Sequence, residues 1–406
     1  MSVNVVFLAP YFGANILRVL RGLTAIDDAR VGIITSVPDE YVPDGFALAG
    51  HYRVDNPMDK GQIQVATRAF QKEWGRVDRL VGFLEQMQVP LADVREALGI
   101  DGMHGETARN FRDKNRMKRV LAAAKLPVAR QALVTNAVTA LRFIEEVGYP
   151  VILKPVDGVG SQNTFRISDE GELFSALNRL LPTAERPVQA EEFVHGEEHT
   201  LEAVVIGGDV VWRSSTYYLP GPLKVLENPW MQYSVLLPRE QSAPHVSAFA
   251  PTNGRALQAL GLVNGFSHME WFITGDGSVR IGEVGARPAG VNIMMMNGFA
   301  HDVDVWEKWA RLEVHREWEV PERRYACGCA FLRGSGPGRT VAEVTGVREV
   351  FADLEGTIAA HTLPTPGKPR SPHYEGDGWI VVQTDETQQA VDALRRVVTG
   401  IQIRYQ

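Results

Sequence analysis

Two kinds of apolar pattern alternate in the first part of the chain. Short, mainly apolar runs at Val3–Leu8, Val31–Thr35 and Val77–Leu84 have the length expected of strands covered on both faces. Helices are expected between and after them, over about Asn15–Ala25 and Leu91–Leu98. Strands and helices alternating to about Met103 predict a small α/β domain with a parallel sheet. The turn after the first strand, Ala9–Gly13, holds one glycine where a dinucleotide fingerprint needs three. Scaffolding is the plain reading of this domain.

The basic run Arg109–Lys118 then opens a helix whose buried stripe is Met117, Val120, Leu121 and Ala124. Lys114 and Lys118 share one face of it, and two such lysines are ordinarily solvated. Lys125-Leu126-Pro127 stops the helix, with Lys125 where a glycine is more usual. Tyr149–Pro155 reads as a strand ending in Lys154, and Val188–Val194 and Glu198–Ile206 as two more around the turn His195-Gly196-Glu197. Ser214–Glu240, with four prolines and four large aromatics, reads as a long cover over an active site. A helix is expected around Pro251–Leu260 and another over Val303–Leu312. Between them, Phe266–Ile273 and Val279–Val284 form a hairpin around Asp276-Gly277, whose residues suit the positive φ of a two-residue turn. The chain closes with strands Ala326–Leu332 and Gly378–Thr384, a Gly334–Gly338 loop after Arg333, and a helix over Glu386–Val398.

Composition narrows the choices. A chain of 406 residues, 45% hydrophobic and 22% charged, suits a globular protein of two or three domains. A formal net charge of −7 and the lack of a long basic run argue against a nucleic-acid partner. No window approaches the roughly 18 apolar residues of a membrane helix. The first residues lead straight into a strand, and Cys327 and Cys329 are too close in one strand to bridge easily; a reduced, cytoplasmic location is expected.

The candidate chemistry centres on the hairpin. A turn at Asp276-Gly277 sets Glu270 opposite Glu283, and His268 opposite Gly285, with paired Cβ atoms roughly 4.5–5.5 Å apart. Two facing carboxylates repel unless one is protonated, both splay into solvent, or a divalent cation lies between them; hard oxygen donors suit Mg²⁺. Arg287 follows closely, and a cation pair of this kind could spread the charge of a transferring phosphoryl group. Upstream, Lys154 precedes a turn in which Gly158 and Gly160 let backbone N–H groups approach an anion, although no Walker loop is present. The strand edge Glu191-Glu192-Phe193-Val194 can face a planar base and Glu198 a ribose; an exposed acidic hairpin fits the same residues.

In this order the motifs resemble the ATP-grasp superfamily, and the likeness covers nearly the whole chain. It implies an N-terminal parallel-sheet α/β domain (1–108) followed by an ATP-grasp fold, two α+β subdomains enclosing ATP (109–310, with a lid at about 134–205, completed by 311–406). By resemblance Lys114 and Lys154 are the ATP lysines, and Gly158, Gly160 and Ser161 belong to the phosphate loop. Glu191, Glu192, Phe193 and Val194 are the adenine hinge, and Glu198 is the ribose carboxylate. Glu270 and Glu283 are the ligands of Mg²⁺ or Mn²⁺, and Arg287 steadies an acyl phosphate. Gly285 stands where the family commonly has an asparagine, with His268 facing it. His268-Met269-Glu270, Ala286–Gly290 and Phe331-Leu332-Arg333 are most similar to the ADP-forming carboxylate–amine ligases of the L-amino acid ligase type, in which an arginine like Arg333 holds the substrate. The resemblance implies a small carboxylate and an amine as substrates, with homodimers common among relatives. Enzymes that activate bicarbonate or formate, and a nucleotide-binding module without catalysis, are the alternatives.

Overall fold

The computed structural model describes residues 2–156 and 163–406. The turn carrying Gly158, Gly160 and Ser161 lies outside the described residues. Four strands, β1 (Val3–Leu8), β2 (Ala29–Thr35), β3 (Leu48–Arg53) and β4 (Arg79–Val81), form a parallel sheet in the order β3-β2-β1-β4. The apolar runs of β1 and β2 are buried because helices cover both faces. The expected strand over Val77–Leu84 shrinks to β4, since the chain leaves the sheet and makes a single 3₁₀ turn at Glu85–Met87. On one face the helix Val305–His315 packs Trp306 and Trp309 against Phe83, at ring distances of 5.1 and 5.9 Å, joining this domain to the rest.

The basic segment forms two helices, Gly105–Arg112 and Lys114–Ala123, because the Asp113 side chain accepts a hydrogen bond from the Arg116 N–H and starts a second helix. Lys125 takes the left-handed conformation at the end, with φ 56°. A second sheet follows, antiparallel throughout: β5 (Gln131–Val134), β6 (Val151–Pro155), β7 (Phe165–Ile167) and β8 (Val188–Glu192), in the order β5-β8-β6-β7. The helices Ala137–Val147 and Glu170–Leu180, capped by Asn136 and Asp169, build its own apolar core.

The remaining strands are β9 (Gly196–Ile206), β10 (Asp209–Leu219), β11 (Tyr233–Leu237), β12 (Gly265–Thr274), β13 (Val279–Gly285), β14 (Ala326–Leu332), β15 (Val341–Thr345), β16 (Ile358–Thr362), β17 (Gly378–Thr384) and β18 (Gln402–Tyr405). Eight form one sheet, β13-β12-β9-β10-β11-β14-β17-β16, and β15 pairs with β18. The large sheet takes strands from both sides of residue 310, and the helix Val305–His315 runs across that position. Ser214–Glu240 is not the loose cover its prolines suggest. Its ends are β10 and the fully buried β11, with the short helix Pro222–Glu227 between them. All four prolines fall outside the strands, where a missing N–H costs no ladder bond. The helix expected from Pro251 begins earlier, at Pro244, and carries Pro251 inside it.

Register assigns the faces of the large sheet. Glu270 pairs with both Glu283 and Thr200, His268 with Glu202, and Thr216 with Thr200, so these polar residues share one face. The opposite face is apolar and covered by the helices Lys114–Ala123, Pro244–Leu260 and Thr387–Gly400. Among the described residues, no helix is long and apolar enough to cross a membrane.

Candidate active site

A cavity of about 660 Å³ separates β6 and β8 of the second sheet from the polar face of the large one. Glu85 of the N-terminal domain reaches its lining, as do Arg287, Val291 and Tyr374 from loops beyond β13 and β16. Lys114, Lys154, Glu191, Glu192, Phe193, Val194, Glu198, Glu270, Glu283 and Arg287 all line it. Residues dispersed along the sequence are thus gathered around one space.

The hairpin reaches the expected pairing by a different route. The Gly277 N–H donates to the Thr274 carbonyl (2.8 Å) and the Thr274 N–H to the Ser278 carbonyl (2.9 Å), closing a three-residue tip with Gly277 at φ 79°. Near the tip Trp271 therefore pairs with Ile281, one residue out of phase with a two-residue turn. A bulge at Gly282 corrects the phase, and Glu270 faces Glu283 after all. A Cβ at residue 282 would lie 2.9 Å from the Phe272 ring and 3.1 Å from the Glu270 carbonyl, so any other residue there has to displace the Phe272 ring.

Around this pair the charges are arranged in local sets. Lys114 Nζ lies 2.8 Å from Glu283 Oε1. Arg287 grips Glu85 through Nε (2.9 Å) and Nη2 (2.8 Å), and Arg112 approaches the other oxygen of Glu85 at 3.6 Å. Glu191 sits between two lysines, 3.0 Å from Lys154 and 3.5 Å from Lys118. Lys118 is not solvated: it is 2% exposed and also donates to the Ile281 carbonyl at 3.2 Å. Burial pulls the Lys118 ammonium down, whereas for Lys154 burial is outweighed by Glu191, Glu283 and Glu270 and its pKa rises. The difference follows from position, since Lys154 faces the carboxylate-rich cavity. Glu191 itself is held at about 2, the two ammonium groups overcoming the cost of its burial.

His268 belongs to a second network. Its Nδ1 lies 2.8 Å from Oε1 of Glu202, a carboxylate with no exposed surface, and the Thr200 and Thr216 hydroxyls donate to Glu202 at 2.8 Å each. The imidazole pKa is raised to about 9, since Glu202 and Glu270 outweigh burial. Nε2 is 3.8 Å from Glu270. The Glu198 side chain has no hydrogen bond among the described residues, and burial followed by the nearby Glu270 pushes its pKa up to about 8.

The structure also places the hinge segment and Arg333. The hinge carboxylates are already engaged, Glu191 by the lysines and Glu192 by Arg130 Nε at 2.6 Å, which leaves Phe193 and the backbone of the Glu191–Val194 edge to face the cavity. Arg333 lies away from the cavity lining. Its Nη1 donates to the carbonyls of Val225 (2.8 Å), Met231 (3.3 Å) and Asn228 (3.4 Å), gathering the end of the helix Pro222–Glu227 and the turn beyond it. That helix also carries Glu227, whose carboxylate meets Arg166 of β7 through two contacts of 3.0 Å and ties the second sheet to the large one. Arg333→Ala is expected to cost about 1.5–3 kcal/mol, the scale of hydrogen bonds to a charged group, measured by urea unfolding. An unchanged unfolding midpoint together with a raised KM for the acid would return Arg333 to the substrate.

Glu85, Glu202 and Tyr374 were not visible as site residues in the sequence. Glu202 left one trace, a lone carboxylate inside the apolar run Leu201–Ile206. Glu85 and Tyr374 left none, because contacts between distant segments bring them in. The site also bears on metal binding. Glu270 and Glu283 offer hard oxygen donors on one face, while no cluster of three or more His, Cys, Asp or Glu suited to a metal occurs among the described residues. Such a donor set fits a Mg²⁺ ion carried in on phosphate oxygens, which takes only one or two protein carboxylates.

Comparison with known proteins gives the following likenesses. Residues 113–208 match the family described as carbamoyl-phosphate synthase L chain, ATP binding domain. The L-arginine-specific L-amino acid ligase of Bacillus subtilis is 27% identical over 248 residues, 60% of this chain, and the match spans 59% of that ligase. The structure of an L-amino acid ligase from Bacillus licheniformis superimposes with a TM-score of 0.78 at 19% identity, covering 100% of this chain and 99% of that one. N5-carboxyaminoimidazole ribonucleotide synthetase from Thermotoga maritima follows with a TM-score of 0.71 at 17% identity and full coverage of both chains. Residues 113–208 thus match an ATP binding domain, and the chain as a whole shares the fold of the L-amino acid ligase structure.

Proposed function

We propose that the protein is an ATP-dependent carboxylate–amine ligase that forms an amide through an acyl phosphate and releases ADP and phosphate. The observation that carries this reading is the convergence of Lys114, Lys154, Arg287 and the Glu270–Glu283 pair on one cavity. Those are the groups needed to hold a triphosphate and spread charge during phosphoryl transfer. Neither serine nor cysteine occurs among the described lining residues, in keeping with chemistry that needs no protein nucleophile.

In the first step a substrate carboxylate oxygen attacks the γ-phosphorus, and the bond from that phosphorus to the β–γ bridging oxygen breaks, leaving ADP. In the second an amine nitrogen attacks the acyl carbon, the bond to the phosphate oxygen breaks, and the nitrogen gives up a proton. Lys154, set at the end of β6 with its charge reinforced by Glu191, contacts the phosphates, and Lys114 supports them from beside Glu283. Glu270 and Glu283 would hold Mg²⁺, which supplies Lewis-acid neutralisation of phosphate charge when bound. Arg287, oriented by Glu85, stabilises the developing oxyanion at the acyl carbon.

Hydroxylamine should intercept the activated acid without the natural amine. Enzyme, MgATP, hydroxylamine and a panel of carboxylic acids are expected to yield hydroxamate and ADP in equal amounts. AMP in place of ADP would refute the acyl phosphate, and ADP formation with bicarbonate or formate alone would move the protein to the carboxylase-like alternative.

A further inference from the structure

Beyond the carboxylate pair the cavity changes character. The sheet face that bears Thr200, Thr216 and Glu270 continues from Tyr218 through a row of cross-strand partners, Val235, Cys329 and Val381, all buried and apolar or nearly so. The lining here includes the apolar and aromatic side chains of Tyr218, Leu219, Pro222, Leu223, Val291 and Tyr374, with Lys224 and Glu198 also in the lining beside them. Tyr218 and Val291 belong to the apolar cluster on which Tyr374 packs. The Tyr374 ring lies 6.0 Å from that of Tyr233, which stacks on Phe331 at 4.7 Å, so three rings in series fix the position of the outermost one. Tyr374 lines the same cavity as Arg287 and Glu270. The apolar wall therefore adjoins the place where an acyl carbon would be activated.

We infer that the acid activated here carries a bulky apolar or aryl side chain, seated between Tyr374 and the wall of Tyr218 and Val291. The inference rests on the ligase reading and narrows its substrate class. An apolar body releases water from this wall, whereas formate, acetate or glycine leaves it wet. A side chain of this size should be favoured by roughly tenfold or more in kcat/KM, the scale of apolar-pocket discrimination.

The test compares phenylacetate, phenylalanine and leucine with acetate, glycine and formate in the hydroxylamine assay, following ADP as well as hydroxamate. The larger acids are expected to win by about tenfold or more. Tyr374→Ala should bring the ratio of phenylacetate to acetate close to one, and Tyr374→Phe should preserve it. Because the ratio is taken on one preparation, partial loss of folded protein cancels. Equal use of small and large acids by the wild type, or an unchanged ratio in Tyr374→Ala, would overturn the inference and leave the ligase intact. ADP formation with no acid at all would instead defeat the ligase reading, and this inference with it.

Discussion

Replacing Glu191 by alanine is expected to destabilise the protein by about 3–5 kcal/mol, the usual cost of breaking a buried ion pair from one side. The substitution leaves the Lys118 and Lys154 ammonium groups buried without their shared carboxylate, and among the described residues Lys118 has only the Ile281 carbonyl as a further acceptor, at 3.2 Å. Acid titration gives an independent measure. Glu191 titrates near 2 in the folded protein against an ordinary 4.5, because the lysines overcome its burial. A depressed carboxylate contributes stability that is complete above about pH 4.5 and lost as pH falls toward 2. At about 1.4 kcal/mol per unit, that shift amounts to roughly 3 kcal/mol, consistent with the mutational cost. Urea unfolding between pH 2 and 5 should show this dependence in the wild type and lack it in Glu191→Gln. A loss under about 1 kcal/mol, with the acid limb unchanged, would mean that Glu191 is solvated and free to serve as a hinge residue.

Glu270→Gln should separate stability from activity in the opposite way. Glu270 faces Glu283 and lies 3.8 Å from His268 Nε2, whereas Glu283 is paired with Lys114 at 2.8 Å. Neutralising Glu270 relieves carboxylate repulsion at little cost in contacts, so the ligand-free variant should unfold within about 0.5 kcal/mol of the wild type or be more stable. ADP formation, by contrast, should fall by about 10²–10³-fold, the scale of losing one preorganised electrostatic group. The two readouts come from a urea titration and a saturating-MgATP assay. Near wild-type turnover would remove Glu270 from the phosphoryl-transfer machinery, and a large stability loss would make it a structural residue.

Much of the architecture could be read from pattern because it is local. The runs Val3–Leu8 and Val31–Thr35 became β1 and β2, and the hairpin kept Glu270 opposite Glu283. What escaped reading depended on distant partners. Prolines made Ser214–Glu240 look irregular, yet β11 inside it is a central strand, specified by neighbours β10 and β14. Lys118 looked solvated because its spacing to Lys114 is all a sequence displays; its partner Glu191 comes from another sheet. Arg333 lies close to a glycine-rich loop, as a substrate arginine would, but its acceptors are carbonyls in the segment between β10 and β11. Glu85 and Arg287 are about two hundred residues apart in sequence and meet only through the tertiary fold.

The bulge at Gly282 has a consequence for how this hairpin tolerates change. The strands run in one phase from the tip to Trp271 and Ile281, and in another from Glu270 and Glu283 onward. Gly282 is thus a joint that insulates the carboxylates from the geometry of the tip. The twelve residues between the two glutamates would fit a two-residue tip without the bulge equally well, so a change of turn type at the tip leaves Glu270 opposite Glu283. The geometry of the solvent end and the facing of the carboxylates at the base are thereby separated.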